Sequence, residues 1–146
     1  MNKIKQCLGI LLLSLTVVSC RQKVVSPVPV DALPPIWPDY AGVTIPATIA
    51  PLNFCVTADG AEAVDVVISG KKGDPIRTSG ESVEIPAGKW SELLENNKGD
   101  SLEVKVCIRQ NGEWKAYRSF PFYISPFPID YGLVYRLLAP GYEIYS

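Results

Sequence analysis

From about Ala50 onward, apolar and polar residues alternate with a period of two. "LNFCVT" puts Leu52, Phe54 and Val56 on one face, "AVDVVIS" does so with Val64, Val66 and Ile68, and "SVEIP" with Val83 and Ile85. "SLEVKVCIR" places Leu102, Val104, Val106 and Ile108 on one parity and Glu103, Lys105 and Arg109 on the other. In "WKAYRSFPFYIS", Phe120, Phe122 and Ile124 share a parity. Successive strand side chains point to opposite faces, so this alternation predicts half-buried strands with one face on a core. Turn signals separate the runs: Asp59-Gly60, Gly70 to Asp74, Ser79-Gly80 and Asn111-Gly112. The last is a hairpin signal, because both central residues of a type I′ turn need positive φ. It predicts a turn joining a strand that ends near Arg109 to one that starts near Trp114.

One segment breaks the period. "PAGKWSELLENNKGD" carries Trp90, Leu93 and Leu94 at i, i+3 and i+4, and Asn97 and Gly99 can end a helix. A helix of about two turns is predicted, crossing between strands with its apolar stripe on the core. Residues 46–126 are therefore expected to form one all-β domain. Its expected class is a small immunoglobulin-like or fibronectin-like β-sandwich with one short crossover helix. A stretch of about 80 residues can bury a modest core.

The front of the chain reads differently. In "MNKIKQCLGILLLSLTVVSC", Lys3 and Lys5 precede an apolar stretch from Leu8 to Leu15. That stretch suits the apolar region of a signal peptide and is short of the roughly 20 residues a spanning helix needs. "VVSC" resembles the bacterial lipobox. The resemblance implies a leader over 1–19, diacylglyceryl transfer to Cys20, cleavage before it and acylation of the new amino terminus. Each buried CH₂ contributes about 0.8 kcal/mol, so several acyl chains hold a protein stably on a membrane without a spanning segment. Residues 20–45 contain Pro27, Pro29, Pro34, Pro35 and Pro38 and are expected to form an extended tether. Arg21 follows the cysteine where an inner-membrane retention signal would carry Asp, and no acidic cluster follows. The expected location is the periplasmic face of the outer membrane.

Charge and chemistry narrow the function. Loss of Lys3 and Lys5 leaves 12 of the 14 basic residues against 15 acidic ones, a net charge of −3. That balance gives no electrostatic footprint for nucleic acid. "GKKG" at 70–73 matches a short loop used on nucleic-acid backbones, but between strand patterns it reads as a turn. The sequence contains no histidine. It therefore lacks Ser-His-Asp and Cys-His arrangements and imidazole metal ligands. The scattered carboxylates form no recognisable pair, and neither enzymatic activity nor a cofactor is expected. Cys7 leaves with the leader, so Cys55 and Cys107 remain. Both fall on the outward parity of their strands. They could pair across a sheet if the strands are neighbours, and not if they lie in opposite sheets, since bridged Cα atoms lie within about 7 Å.

"IWPDYAGVTIPATIAPLNF", "KWSELLENNKGDSLEVKV" and "PFPIDYGLVYRLLAPGYEIYS" together resemble Bacteroides-type TolB-like β-propeller lipoproteins, some of which are labelled cytochrome c biogenesis proteins. The resemblance implies a β-rich N-terminal module that continues into a Cys-x-x-Cys-His segment and propeller repeats. This sequence has neither feature, so haem attachment and propeller function do not carry over. The segment 127–146 then reads as a linker to a further domain. Its alternative is to fold back as a last strand or short helix, with Tyr131, Tyr135 and Tyr142 covering an edge.

The expected function is that of a non-catalytic, lipid-anchored cell-envelope protein whose sandwich contacts a protein or a glycan. The candidate contact surface is Trp114, Tyr117, Phe122 and Tyr123 with the three C-terminal tyrosines. Core packing is the competing role for these aromatics. A carbohydrate-binding accessory lipoprotein is the alternative reading, since aromatic rings can stack on sugars.

Overall fold

The structure, a computed structural model, describes residues 23–127. Chain order is β1 (Val28–Val30), β2 (Ile36–Trp37), β3 (Thr44–Pro46), β4 (Phe54–Val56), β5 (Ala63–Ser69), β6 (Ile76–Ser79) and β7 (Ser82–Val83). The helix α1 (Ala87–Asn96) follows, then β8 (Ser101–Gln110), β9 (Glu113–Tyr117) and β10 (Phe120–Ser125). Two sheets result, forming the expected all-β sandwich with one short helix. The small sheet has the order β2-β4-β7. The large sheet is built on β8, which pairs antiparallel with β5 on one side and with β9 and β10 on the other. β6 extends the sheet beyond β5.

Register explains why one face of each strand is buried. Val64, Val66 and Ile68 lie opposite Ile108, Val106 and Val104. Phe120 and Phe122 lie opposite Val104 and Leu102. Every one of these side chains is buried. Phe54, Val56 and Val83 from the small sheet join the same core. Burying a side chain of this size contributes about 1.5–3 kcal/mol relative to leaving it in water.

The hairpin turn is as its sequence predicts. Asn111 and Gly112 have φ of 52° and 77°, and Gln110 pairs with Glu113. Glu62 holds this turn by accepting from the Gly112 amide at 3.1 and 3.2 Å.

β9 and β10 run along the same edge of β8 but with shifted register. Cys107 faces Ala116, whereas Val104 faces Phe120. Arg118 and Ser119 thus share the space opposite Lys105, which is a β-bulge. The extra residue flips the side-chain parity between the two strands. Lys115 pairs with inward-facing Ile108, while Trp114 pairs with outward-facing Arg109.

The helix α1 buries Trp90, Leu93 and Leu94. Pro86 precedes it with extended backbone, φ −62° and ψ 119°. Trp90 packs edge-on against Phe122, with centroids 6.1 Å apart and an 84° interplanar angle, and donates its indole N–H to the Ile49 carbonyl at 3.1 Å. After the last turn, Asn97 is 3% exposed and fully engaged. Its Nδ2 donates to the carbonyls of Leu93 and Lys72, both at 2.8 Å, and its Oδ1 accepts from the Lys72 amide at 3.1 Å. This ties the β5–β6 turn to the helix end. Gly70 makes room for it, since a Cβ there would land on the Asn97 side chain.

The stretch 20–45 corrects one expectation. Over its described part it is woven into the fold and is not a free tether. β1 pairs in parallel with β9, β3 pairs in parallel with β10, and β2 joins β4 of the other sheet. The folded unit therefore begins at Val28, well before residue 46. Proline is tolerated here because β1 and β3 are edge strands, where a missing N–H leaves no ladder bond unmade.

Candidate functional site

The four described residues of the expected contact surface, Trp114, Tyr117, Phe122 and Tyr123, do not come together as one exposed face. Phe122 is fully buried and stacks edge-on with Phe120 at 5.6 Å as well as with Trp90. Trp114 is buried on the outer side of the large sheet, and Tyr117 is half-buried against the core. Only Tyr123 of the four faces solvent, at 48% exposure. Phe122 was placed by the alternation and belongs to the core for that reason. Tyr131, Tyr135, Tyr142 and the acylation candidate Cys20 lie outside the described residues.

The cysteines are decided by sheet membership. Cys55 sits on β4 of the small sheet with both neighbours, Phe54 and Val56, buried. Cys107 sits on β8 of the large sheet between buried Val106 and Ile108. Each therefore points away from the shared core, on opposite outsides of the sandwich, and both thiols are free. A bridge between them is excluded by this geometry. Burial, and then the Asp65 carboxylate, push the Cys107 thiol up. It stays protonated near neutrality and is a poor nucleophile.

The exposed aromatic that stands out is Trp37, at 69% exposure. Its strand β2 pairs with β4 so that Ile36 lies opposite Val56 and Trp37 lies opposite Cys55. Cys55 in turn lies opposite Ser82 of β7. Trp37, Cys55 and Ser82 thus form one row across the outer face of the small sheet. Exposed Asn53, Thr57 and Glu84 share the parity of that row on the flanking positions of the same strands. The Asn53 Oδ1 is fixed by the Ile85 amide at 2.9 Å. The face carries one large ring with hydroxyl, amide, thiol and carboxylate groups on neighbouring positions. Such a face can stack on a ring and exchange hydrogen bonds around it.

Sequence reasoning missed Trp37 because it lies in the proline-rich run "PPIWPDY", where no alternation marks a strand. The outward parity of Cys55 was legible; the strand that pairs with it was not. Phe127, at 75% exposure, was likewise passed over.

The remaining concavities are small or open. A cleft of about 90 Å³ lies between the β5–β6 turn and α1, lined by Gly73, Asp74, Lys89, Glu92, Leu93 and Asn96. That is well under the roughly 300 Å³ of the smaller ligand pockets. Among the described residues, no three His, Cys, Asp or Glu side chains are grouped to hold a metal ion. Among the same residues, no helix is long and apolar enough to cross a membrane. Comparisons with protein-family models, with curated proteins and with solved structures return no match for this chain.

Proposed function

We propose that this is a non-catalytic, lipid-anchored protein of the cell envelope whose β-sandwich serves as a contact module for a protein or a glycan. The lipobox-like "VVSC" and the leader ahead of it support the anchor on Cys20 and a place on the periplasmic face of the outer membrane. The resemblance to TolB-like propeller lipoproteins supports an envelope role of the same kind. The observation that carries the contact reading is the exposed indole of Trp37 on the polar outer face of β2-β4-β7. A soluble domain gains nothing in stability from a tryptophan held mostly in water, whereas a binding face gains a large, stiff ring at little entropic cost.

The second reading, a carbohydrate-binding accessory lipoprotein, draws on the same residue. Polar groups around a lone ring suit sugars, whose CH faces stack while their hydroxyls bond at the rim. Tryptophan fluorescence separates the two readings. The chain has three tryptophans, and Trp90 and Trp114 are 1% and 6% exposed. A ligand that changes the emission on contact therefore reports on Trp37. Saturable quenching by an envelope glycan, abolished by Trp37→Ala, is the outcome expected of the glycan reading. Acylated, folded protein that no glycan quenches removes that reading and leaves protein contact. A protein whose intact mass carries no acyl chains on Cys20 removes the anchor.

A further inference from the structure

The route by which the chain enters the sandwich fixes how the domain would stand on a membrane. β1 runs parallel to β9, with Val28 opposite Lys115 and Val30 opposite Tyr117. The chain thus arrives at the end of the sandwich that carries the β8–β9 turn. It is seated there before β1 begins. Lys23, Val25 and Ser26 line an open groove of about 460 Å³ together with Arg109, Gly112, Glu113 and Trp114. Cys20 lies only three residues before Lys23. An extended chain spans at most 3.3–3.6 Å per residue, so the length of chain from Lys23 back to Cys20 reaches at most about 11 Å.

The polar layer on each side of a bilayer's hydrocarbon core is several Å thick. An acylated Cys20 at that level keeps the turn end within about 11 Å of the headgroup layer. We propose that this end of the sandwich, formed by 23–28 and the 110–113 turn, faces the lipid headgroup surface and is held beside it. The proposal rests on the reading of Cys20 as the anchor.

The side chains at this end suit that position. Val25 and Val28 are 64% and 43% exposed, and Lys23 beside them is exposed. Small apolar groups next to a lysine match the boundary between acyl chains and phosphates. The end is not strongly basic, however. Glu113 lines the same groove, and Glu62 sits beside it, 3.4 Å from the Arg109 Nε. This orientation is therefore imposed by the short tether and not by charge attraction, and it should persist at high salt.

The opposite end points away. From Glu113 to Ser125, less the bulged residue, the β9–β10 edge rises about 36 Å at roughly 3.3 Å per residue. The β5–β6 turn, tied to the helix end by Asn97 and to Asp100 by Lys71 at 2.7 Å, marks that distal end. Trp37, on the outer face of the small sheet, stays exposed to partners.

The test uses the mature, acylated full chain in nanodiscs of phosphatidylethanolamine and phosphatidylglycerol that contain a gadolinium-chelate headgroup lipid. Intact mass first establishes the acyl chains. Amide relaxation is then compared between Gly112 and Gly73, one at each end. The expected result is a several-fold larger paramagnetic enhancement at Gly112, unchanged by added salt. Equal enhancement at the two glycines, or a larger one at Gly73, in a chain shown to be acylated overturns the proposal while the anchor stands. A chain without acyl mass overturns both, and the mass alone tells the two failures apart.

Discussion

The outer face of the large sheet is laced with charge, whereas the outer face of the small sheet presents a bare indole and a thiol. On the large sheet, Glu103 meets Lys105 at 3.0 Å and accepts from the Ser119 hydroxyl at 2.9 Å, and Arg109 meets Glu62 at 3.4 Å. On the small sheet, the row Trp37, Cys55 and Ser82 shows no such pairing. The lengths differ too. β8 runs for 10 residues and is paired on both sides, while β2, β4 and β7 have two or three residues each. So short a sheet draws its stability from its inner face, which shares one core with the large sheet. Its outer face is thereby free to be shaped by something other than folding. The lesson is that the less regular half of the molecule holds the better candidate for contact.

That comparison can be broken at its base. If both sheets share one core, removing a large ring from either should unfold the whole. Phe122→Ala on the large sheet and Phe54→Ala on the small one are each expected to cost about 3–5 kcal/mol. Both residues are at most 2% exposed. Denaturant melts followed by tryptophan emission and by circular dichroism should coincide in both variants. Separate transitions for Phe54→Ala would mean that the small sheet is its own unit.

A smaller loss is expected at the joint between the large sheet and the helix. Asn97→Ala removes all three bonds that link Lys72 and Leu93 through its side chain. Leaving a buried backbone partner unsatisfied costs about 1–3 kcal/mol. Hydrogen exchange at the Lys72 amide should accelerate more than the global loss explains, because the turn detaches first. An unchanged Lys72 amide would show that the turn is held by other contacts.

The two thiols sharpen the comparison of faces by rate. Cys55 is exposed, whereas Cys107 is half-buried and its thiol is pushed up by burial and by Asp65. Iodoacetamide near neutral pH should modify Cys55 well before Cys107, as read by peptide mass. Comparable rates would mean that the large sheet's outer face is as open as the small one's.

How much of this was legible depends on how each residue earns its place. β5, β8 and β10 were readable because Val64 to Ile68, Leu102 to Ile108 and Phe120 to Ile124 each repeat a burial pattern long enough to be seen. The helix showed itself through Trp90, Leu93 and Leu94, and the turn through Asn111-Gly112. β1, β2 and β3 were invisible because two or three residues cannot display a period. Their prolines suggested a tether when they mark sheet edges. Trp114 was misjudged for a different reason. It does stand on the outer side of the large sheet, but at 6% exposure it is covered there, which alternation along one strand cannot show. The contact face fared worst, since Trp37 acquires its neighbours only through pairing with a distant strand.

The smallest expected effect concerns the charge on the large sheet's outer face. The Glu103 carboxyl is held below the ordinary glutamate value, first by its bond from Lys105 and then by that from Ser119. Its folded value is thus lower than its unfolded one. The stability it contributes is fully present above the unfolded value and fades as pH falls through the folded one. The window opens just under the ordinary carboxylate range and extends downward. An exposed pair of this kind contributes about 0–1 kcal/mol. Acid titration of stability should therefore show a shallow loss that Glu103→Gln reduces, with little change near neutrality. The same titration in Cys55→Ser, which alters only the outer row of the small sheet, should keep the acid dependence intact. An acid dependence that was reduced in Cys55→Ser and undiminished in Glu103→Gln would reverse the assignment of charge to the large sheet and of bare contact surface to the small one.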